Sequence, residues 1–230
     1  MAKQSIASRS ALLAGATGLI GRALLPMLLH GGTYQRVTVL ARGPARGIAA
    51  DPKLDWLSID FAHLPNPLPA IDDVYIALGT TIKVAGSQDA FRQVDFEYVV
   101  GIARAARAVG ATHLGVVSAL GADSASRVFY NRVKGDMQAA IGALGYESVA
   151  IAQPSMLIGD RAAFGQPVRN GEVWVERVLR PVMALVPKSV RPIAAVKVAA
   201  ALLQATLEAK PGVRFLSSAQ MQSAMPDRSA

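Results

Sequence analysis

The sequence predicts a three-layer α/β fold, a doubly wound and mostly parallel sheet of about seven strands with helices on both faces. Three observations lead there. Apolar runs of strand length alternate with longer helical patterns from one end of the chain to the other. Hydrophobic residues make up 52% of the 230 residues and charged ones only 17%, enough for a core on both faces of a sheet. A glycine-rich turn joins the first strand-like run to the first helical one.

The elements follow in order. Residues 10–14 read as the first strand, and the turn after them opens a helix over about 19–29 that Gly31 and Gly32 stop. Val37-Thr38-Val39-Leu40 is the second strand and 54–59 the third. Pro65, Pro67 and Pro69 keep the next connection from forming a regular helix. Residues 74–78 make the fourth strand, 90–109 a long helix ending at Gly110, and 114–118 the fifth strand. A helix over 130–144 and a sixth strand over 149–152 come next. Beyond that the periodicity weakens: 159–171 reads as loop and 172–185 as a helix interrupted by Pro181. Residues 194–209 form a helix, 213–216 a last short strand, and 221–230 a frayed tail. With no internal repeat, low-complexity tract or linker, one domain over 1–230 is expected.

Composition excludes several function classes. Mean hydropathy is high at +0.32, but the longest apolar runs, 196–203 and 181–187, are far short of the roughly 20 residues a membrane span needs. Residues 1–10 carry Lys3 and Arg9, yet three glycines break the apolar segment that follows, so no secretory signal is read and a cytoplasmic protein is expected. There are no cysteines, which removes disulfides, zinc thiolates and thiol nucleophiles. His30, His63 and His113 show no metal-ligand spacing. The net charge of +8 comes from scattered arginines without a nucleic-acid motif. A basic protein that holds a multiply negative small molecule is the simpler account.

Gly15-Ala16-Thr17-Gly18-Leu19-Ile20-Gly21 follows a strand and opens a helix, so backbone N–H groups and the helix dipole face a diphosphate there. Gly15 permits the tight turn, Gly18 lets the backbone approach the phosphates, and Gly21 lets the helix sit close to the strand. This is the turn of a Rossmann dinucleotide-binding fold, and a nicotinamide cofactor is its expected ligand. An NAD enzyme usually presents Asp or Glu about 20 residues beyond the loop. Here the second strand runs Val39-Leu40-Ala41-Arg42, with no acid before Asp51. Arg42 suits a 2′-phosphate, with Arg22 and Arg46 nearby in sequence, so NADP(H) is expected over NAD(H).

Tyr130 and Lys134 lie four residues apart, one turn along a helix and on one face. Carbonyl reduction needs a proton donor beside the substrate oxygen, and a cation near a phenol lowers its pKa toward that task. A hydroxyl should also polarise the oxygen. Ser118, at the end of the fifth strand, has the better position, because ligands bind at the C-terminal ends of parallel strands. Ser124 and Ser126, in the following loop, leave the choice open, Ser124 above all.

These residues resemble the short-chain dehydrogenase/reductase superfamily, in its extended or atypical NAD(P)-binding branch, and within it the group related to Tat-interactive protein 2 and its bacterial counterparts. Besides the glycine loop and Arg42, the matching segments are 77–81, 94–99, 117–123, 130–136 and 154–161. The resemblance implies that Asp60 binds the adenine amino group with Phe61 contributing backbone, and that Leu78, Gly79 and Thr80 line the ribose and diphosphate. It also implies that Pro154, Ser155 and Met156 hold the carboxamide, and that Ser118, Tyr130 and Lys134 are catalytic. Two departures stand out: Ala119 replaces a frequent second serine, and Gln153 a common arginine before the proline.

A small-molecule substrate is expected, covered by a short segment at about 159–192 in which Arg161, Arg169 and Trp174 read equally as lining residues and as ordinary surface or packing residues. The leading function is hydride transfer to or from a small carbonyl or alcohol. An epimerase or dehydratase with tightly bound cofactor, and a non-catalytic NADPH sensor, stay open beside it. The sequence does not fix the oligomeric state, and a homodimer through helices flanking the site stays open as well.

Overall fold

The computed structural model describes residues 9–158, 187 and 189–223. Seven strands form one sheet: β1 (Arg9–Ala14), β2 (Tyr34–Ala41), β3 (Leu54–Ser58), β4 (Asp73–Ile76), β5 (His113–Val117), β6 (Ser148–Gln153) and β9 (Gly212–Ser217). Their order is β3-β2-β1-β4-β5-β6-β9, and every neighbouring pair is parallel. The fold is the expected doubly wound Rossmann sheet. Central strands are apolar on both faces because both are covered: Leu13 belongs to one core and Leu12 and Ala14 to the other.

The first core packs α1 (Leu19–His30) and α6 (Ala195–Leu207) on one face of the sheet. The second packs α4 (Val99–Ala108) and α5 (Phe129–Gly142) on the other. The chain winds outward from β1 to β3, returns to β4 beside β1, and then winds the other way. At that reversal the connections leave β1 and β4 in opposite directions, opening a crevice at the C-terminal ends of these strands.

Several elements differ from the sequence expectation. The long helix starts at Gln88 rather than at 90, because the Ser87 side chain caps it by accepting from Ala90 N–H. It is also interrupted: α3 (Gln88–Arg92) passes into a π-helical turn, Gln93–Tyr98, before α4. A short helix α2 (Ile82–Ala85), capped by Thr81, precedes it. Two short strands, β7 (Leu157–Ile158) and β8 (Ile193–Ala194), pair in a separate small sheet. Where it is described, the tail expected from 221 is largely helical. A capping box between Ser217 and Gln220 starts α7 (Ser218–Gln222), which buries Met221 in the first core. The expected loop at 159–171 and helix at 172–185, with Arg161, Arg169 and Trp174, lie outside the described residues.

Candidate active site

The glycine loop lies at the sheet reversal. Gly15 has φ +92°, and a Cβ there would come within 2.6 Å of the Ala77 backbone at the end of β4. A Cβ on Gly21 would lie 2.0 Å from the Gly15 carbonyl oxygen, so the helix rests directly on the turn. Gly18 N–H donates to that same carbonyl at 3.0 Å. The N-terminus of α1 has no side-chain cap and no acid in its first turn. Its N–H groups therefore suit an anion, and the residues present fit a dinucleotide diphosphate. Ala16, Leu19 and Ile20 are buried beneath the loop, whereas Thr17 is exposed.

Arg42 follows β2 directly and is exposed; among the described residues its guanidinium has no hydrogen-bond or ion-pair partner. Asp60 follows β3, and its carboxylate accepts from Ala62 N–H at 2.9 Å and contacts His63 at 3.1 Å. These hydrogen bonds, that of Ala62 first, hold it below the usual carboxylate range. Phe61 turns inward and packs on Tyr98 with ring centroids 5.7 Å apart.

The turn after β4 carries Leu78, Gly79 and Thr80, and the π-helical turn brings Asp95 against it. Thr80 N–H donates to Asp95 Oδ2 at 2.9 Å, while Lys134 Nζ lies 2.8 Å from Asp95 Oδ1. The ammonium sits off the axis of a hydrogen bond to that oxygen, so the attraction is chiefly Coulombic. Asp95 is 1% exposed and Lys134 3%, and each supplies the counter-charge that burial of the other requires. A Cβ on Gly79 would lie 3.4 Å from Asp95 Oδ1 and 3.9 Å from Lys134 Nζ. Tyr130, one turn before Lys134 on α5, is half-buried and packs on Phe91 with centroids 5.3 Å apart.

Ser118 follows β5 and is 5% exposed. Its Oγ accepts from Gln138 Nε2 at 2.6 Å, and Gln138 Oε1 accepts from Gln153 Nε2 at 3.4 Å. Gln138 lies four residues beyond Lys134 and eight beyond Tyr130, on the same helix face. Ser124 is exposed, with its backbone packed on Gly135, and Ser126 Oγ accepts from Val128 N–H just before α5. After β6, Ser155 Oγ donates to the Arg191 carbonyl and contacts Ser218 Oγ at 2.9 Å. That hydroxyl thus ties the Pro154–Met156 turn to the scaffold, and Met156 is exposed beside it.

Sequence reasoning missed Asp95 and Gln138. Helical spacing from Tyr130 and Lys134 points to Gln138, but nothing in the local pattern marks Asp95 as buried.

A family model described as NAD(P)H-binding matches residues 15–152, from the glycine loop to β6. The chain belongs to this family. It has a Rossmann fold, and its cofactor is a nicotinamide dinucleotide. It is 32% identical to Protein HTATIP2 of Rattus norvegicus over 177 residues, which are 74% of this chain and 69% of that one. It is 33% identical to Protein FMP52, mitochondrial, of Eremothecium gossypii over 154 residues, 66% of this chain and 68% of that one. Solved structures agree on the fold. An oxidoreductase of the short chain dehydrogenase/reductase family from Burkholderia thailandensis superposes with a TM-score of 0.66 at 19% identity, covering 95% of this chain and 94% of that one. The ADP-L-glycero-D-manno-heptose-6-epimerase of Helicobacter pylori does so with 0.62 at 14% identity, covering 94% and 78%. Among the described residues no helix is long and apolar enough to cross a membrane, and no cluster of His, Asp and Glu could hold a metal.

Proposed function

We propose that this protein reduces a small carbonyl compound with NADPH. The observation that carries the reading is the Lys134–Asp95 pair, which joins the turn after β4, on the cofactor side, to the helix that bears Tyr130. When bound, the cofactor supplies the hydride to the carbonyl carbon. Tyr130 gives its phenolic proton to the carbonyl oxygen and is reprotonated from solvent, which its half-buried position allows. Lys134 sits one turn away on the same face of α5. Asp95 keeps that ammonium in place through a contact anchored at Thr80. Ser118 polarises the substrate oxygen; it is preferred to Ser124 because Gln138 connects its hydroxyl to the Tyr130–Lys134 face.

NADPH is preferred over NADH because the end of β2 offers Arg42, which has no partner among the described residues, and no acid. Cell fractionation tests a cytoplasmic location against the mitochondrial location in the names of the FMP52 relatives.

The test of function is NADPH oxidation across a panel of aldehydes, ketones and quinones, with Tyr130→Phe as control. Turnover that vanishes in Tyr130→Phe while NADPH still binds supports the mechanism. Equal turnover in that variant sinks it, and no oxidation with any carbonyl favours a sensor.

A further inference from the structure

We propose that Gln138 is a positioning residue that sets the direction of the Ser118 hydroxyl, leaving its one proton for the substrate oxygen. This rests on the carbonyl-reductase reading above. An amide nitrogen only donates and an amide oxygen only accepts, whereas a hydroxyl does both. The direction of the chain Gln153–Gln138–Ser118 therefore matters. Gln153, the last residue of β6, donates to Gln138 Oε1 and so orients that amide. Gln138 must then present its NH₂ group to Ser118 Oγ, and it does so at 2.6 Å in a buried setting. Ser118 accepts on the protein side. Among the described residues its own proton has no acceptor. A hydroxyl that receives a hydrogen bond is also a better donor, because chained bonds polarise one another. The three residues come from the ends of β5 and β6 and from the Tyr130–Lys134 face of α5, so the relay ties the polarising hydroxyl to the helix of the proton donor.

The substitution that reverses the chain at nearly constant shape is Gln138→Glu. A carboxylate there accepts the Ser118 proton and turns it away from the substrate. With 4-nitrobenzaldehyde and NADPH as the probe pair, kcat/KM should fall roughly 100-fold in alkaline buffer, the size of losing one preorganised donor. It should recover toward wild type as the pH is lowered and the introduced carboxyl regains a proton to donate. Gln138→Met removes the donor without reversing it and should cost roughly tenfold, the size of one net hydrogen bond. In a Ser118→Ala background neither substitution should cost more, whereas a packing role would carry over unchanged. NADPH affinity should stay within about twofold throughout, as these side chains do not hold the cofactor.

Unchanged kcat/KM in both single variants, or equal losses with and without Ser118, would overturn the proposal while leaving the reductase reading intact. If wild type reduces no carbonyl, the reductase reading fails separately. Neutron diffraction on the deuterium-exchanged protein then still decides the geometry. A Gln138 ND₂ group facing Ser118, with the Ser118 deuteron directed elsewhere, supports the relay. A Ser118 deuteron directed at Gln138 overturns it.

Discussion

Lys134 Nζ lies 2.8 Å from Asp95 Oδ1, with both side chains almost wholly removed from water. Each charge is tolerable there only because of the other. Asp95→Asn keeps an acceptor for Thr80 N–H but strands the ammonium, and should destabilise the protein by about 3 kcal/mol in urea unfolding. Replacing both charges, Asp95→Asn with Lys134→Met, should restore part of that stability but none of the turnover. Losses that simply add would show the two residues to be uncoupled.

Arg42 tests the cofactor choice. Its side chain is exposed at the end of β2 and has no partner among the described residues to release. Arg42→Ala should weaken NADPH roughly 10- to 100-fold, the range of charge-assisted hydrogen bonds to a phosphate, and leave NADH nearly unchanged. Fluorescence titration with both nucleotides measures it. Equal losses for the two would place Arg42 away from the 2′-phosphate.

Gly21 tests how closely helix and turn must pack. A Cβ would fall 2.0 Å from the Gly15 carbonyl oxygen, which is backbone and cannot swing aside. Gly21→Ala should therefore displace α1 from the loop, cost at least about 2 kcal/mol and abolish NADPH binding. An alanine variant with wild-type melting temperature and NADPH affinity would contradict the packing.

The parts of the molecule that were legible in the sequence are those with long-range regularity. Strands covered on both faces appear as apolar runs, and the glycine turn sits at one end of such a run, so the sheet and the loop could be read together. Asp95 could not be read that way. The expected helix over 90–109 has an ordinary 3.6-residue period, in which an acid between Val94 and Phe96 passes for a solvated position. The π-helical turn Gln93–Tyr98 changes that register and carries Asp95 inward, where its partners come from the turn after β4 and from α5, distant in sequence. The strands β7 and β8 are two residues each, too short to leave a period. Gln138, by contrast, stands at helical spacing from Tyr130 and Lys134. What the sequence withheld was its partner, since a hydrogen bond from Gln138 to Ser118 exists only once β5 and α5 are packed.

The opposite end of the sheet makes the last prediction. There the starts of four strands converge on Asp73: Arg9 at 2.6 Å, His113 at 2.8 Å, and the Tyr34 hydroxyl, which also lies 2.8 Å from Tyr75 Oη. Burial pushes the Tyr34 phenol up, and the charges of Tyr75 and Asp73 push it further; burial does the same to Tyr75. Tyr146, whose hydroxyl donates to the Ala103 carbonyl at 2.6 Å, is likewise raised by burial. All three folded-state values lie above the unfolded value, so the folded state keeps protons that the unfolded state releases. Their contribution to stability is whole below about pH 10, the ordinary tyrosine value, and is lost as the pH rises further. Urea midpoints should therefore fall steeply above that point, and the phenolate absorbance of these three residues should appear together with unfolding. Tyr146→Phe should flatten the fall while costing about 1 kcal/mol at neutral pH, the worth of its hydrogen bond. Because this cluster is at the far end of the strands from the glycine loop, Tyr34→Phe should lower stability and leave NADPH affinity unchanged. Complete ionisation of Tyr34, Tyr75 and Tyr146 with the fold intact would show that their burial is not what holds the protons.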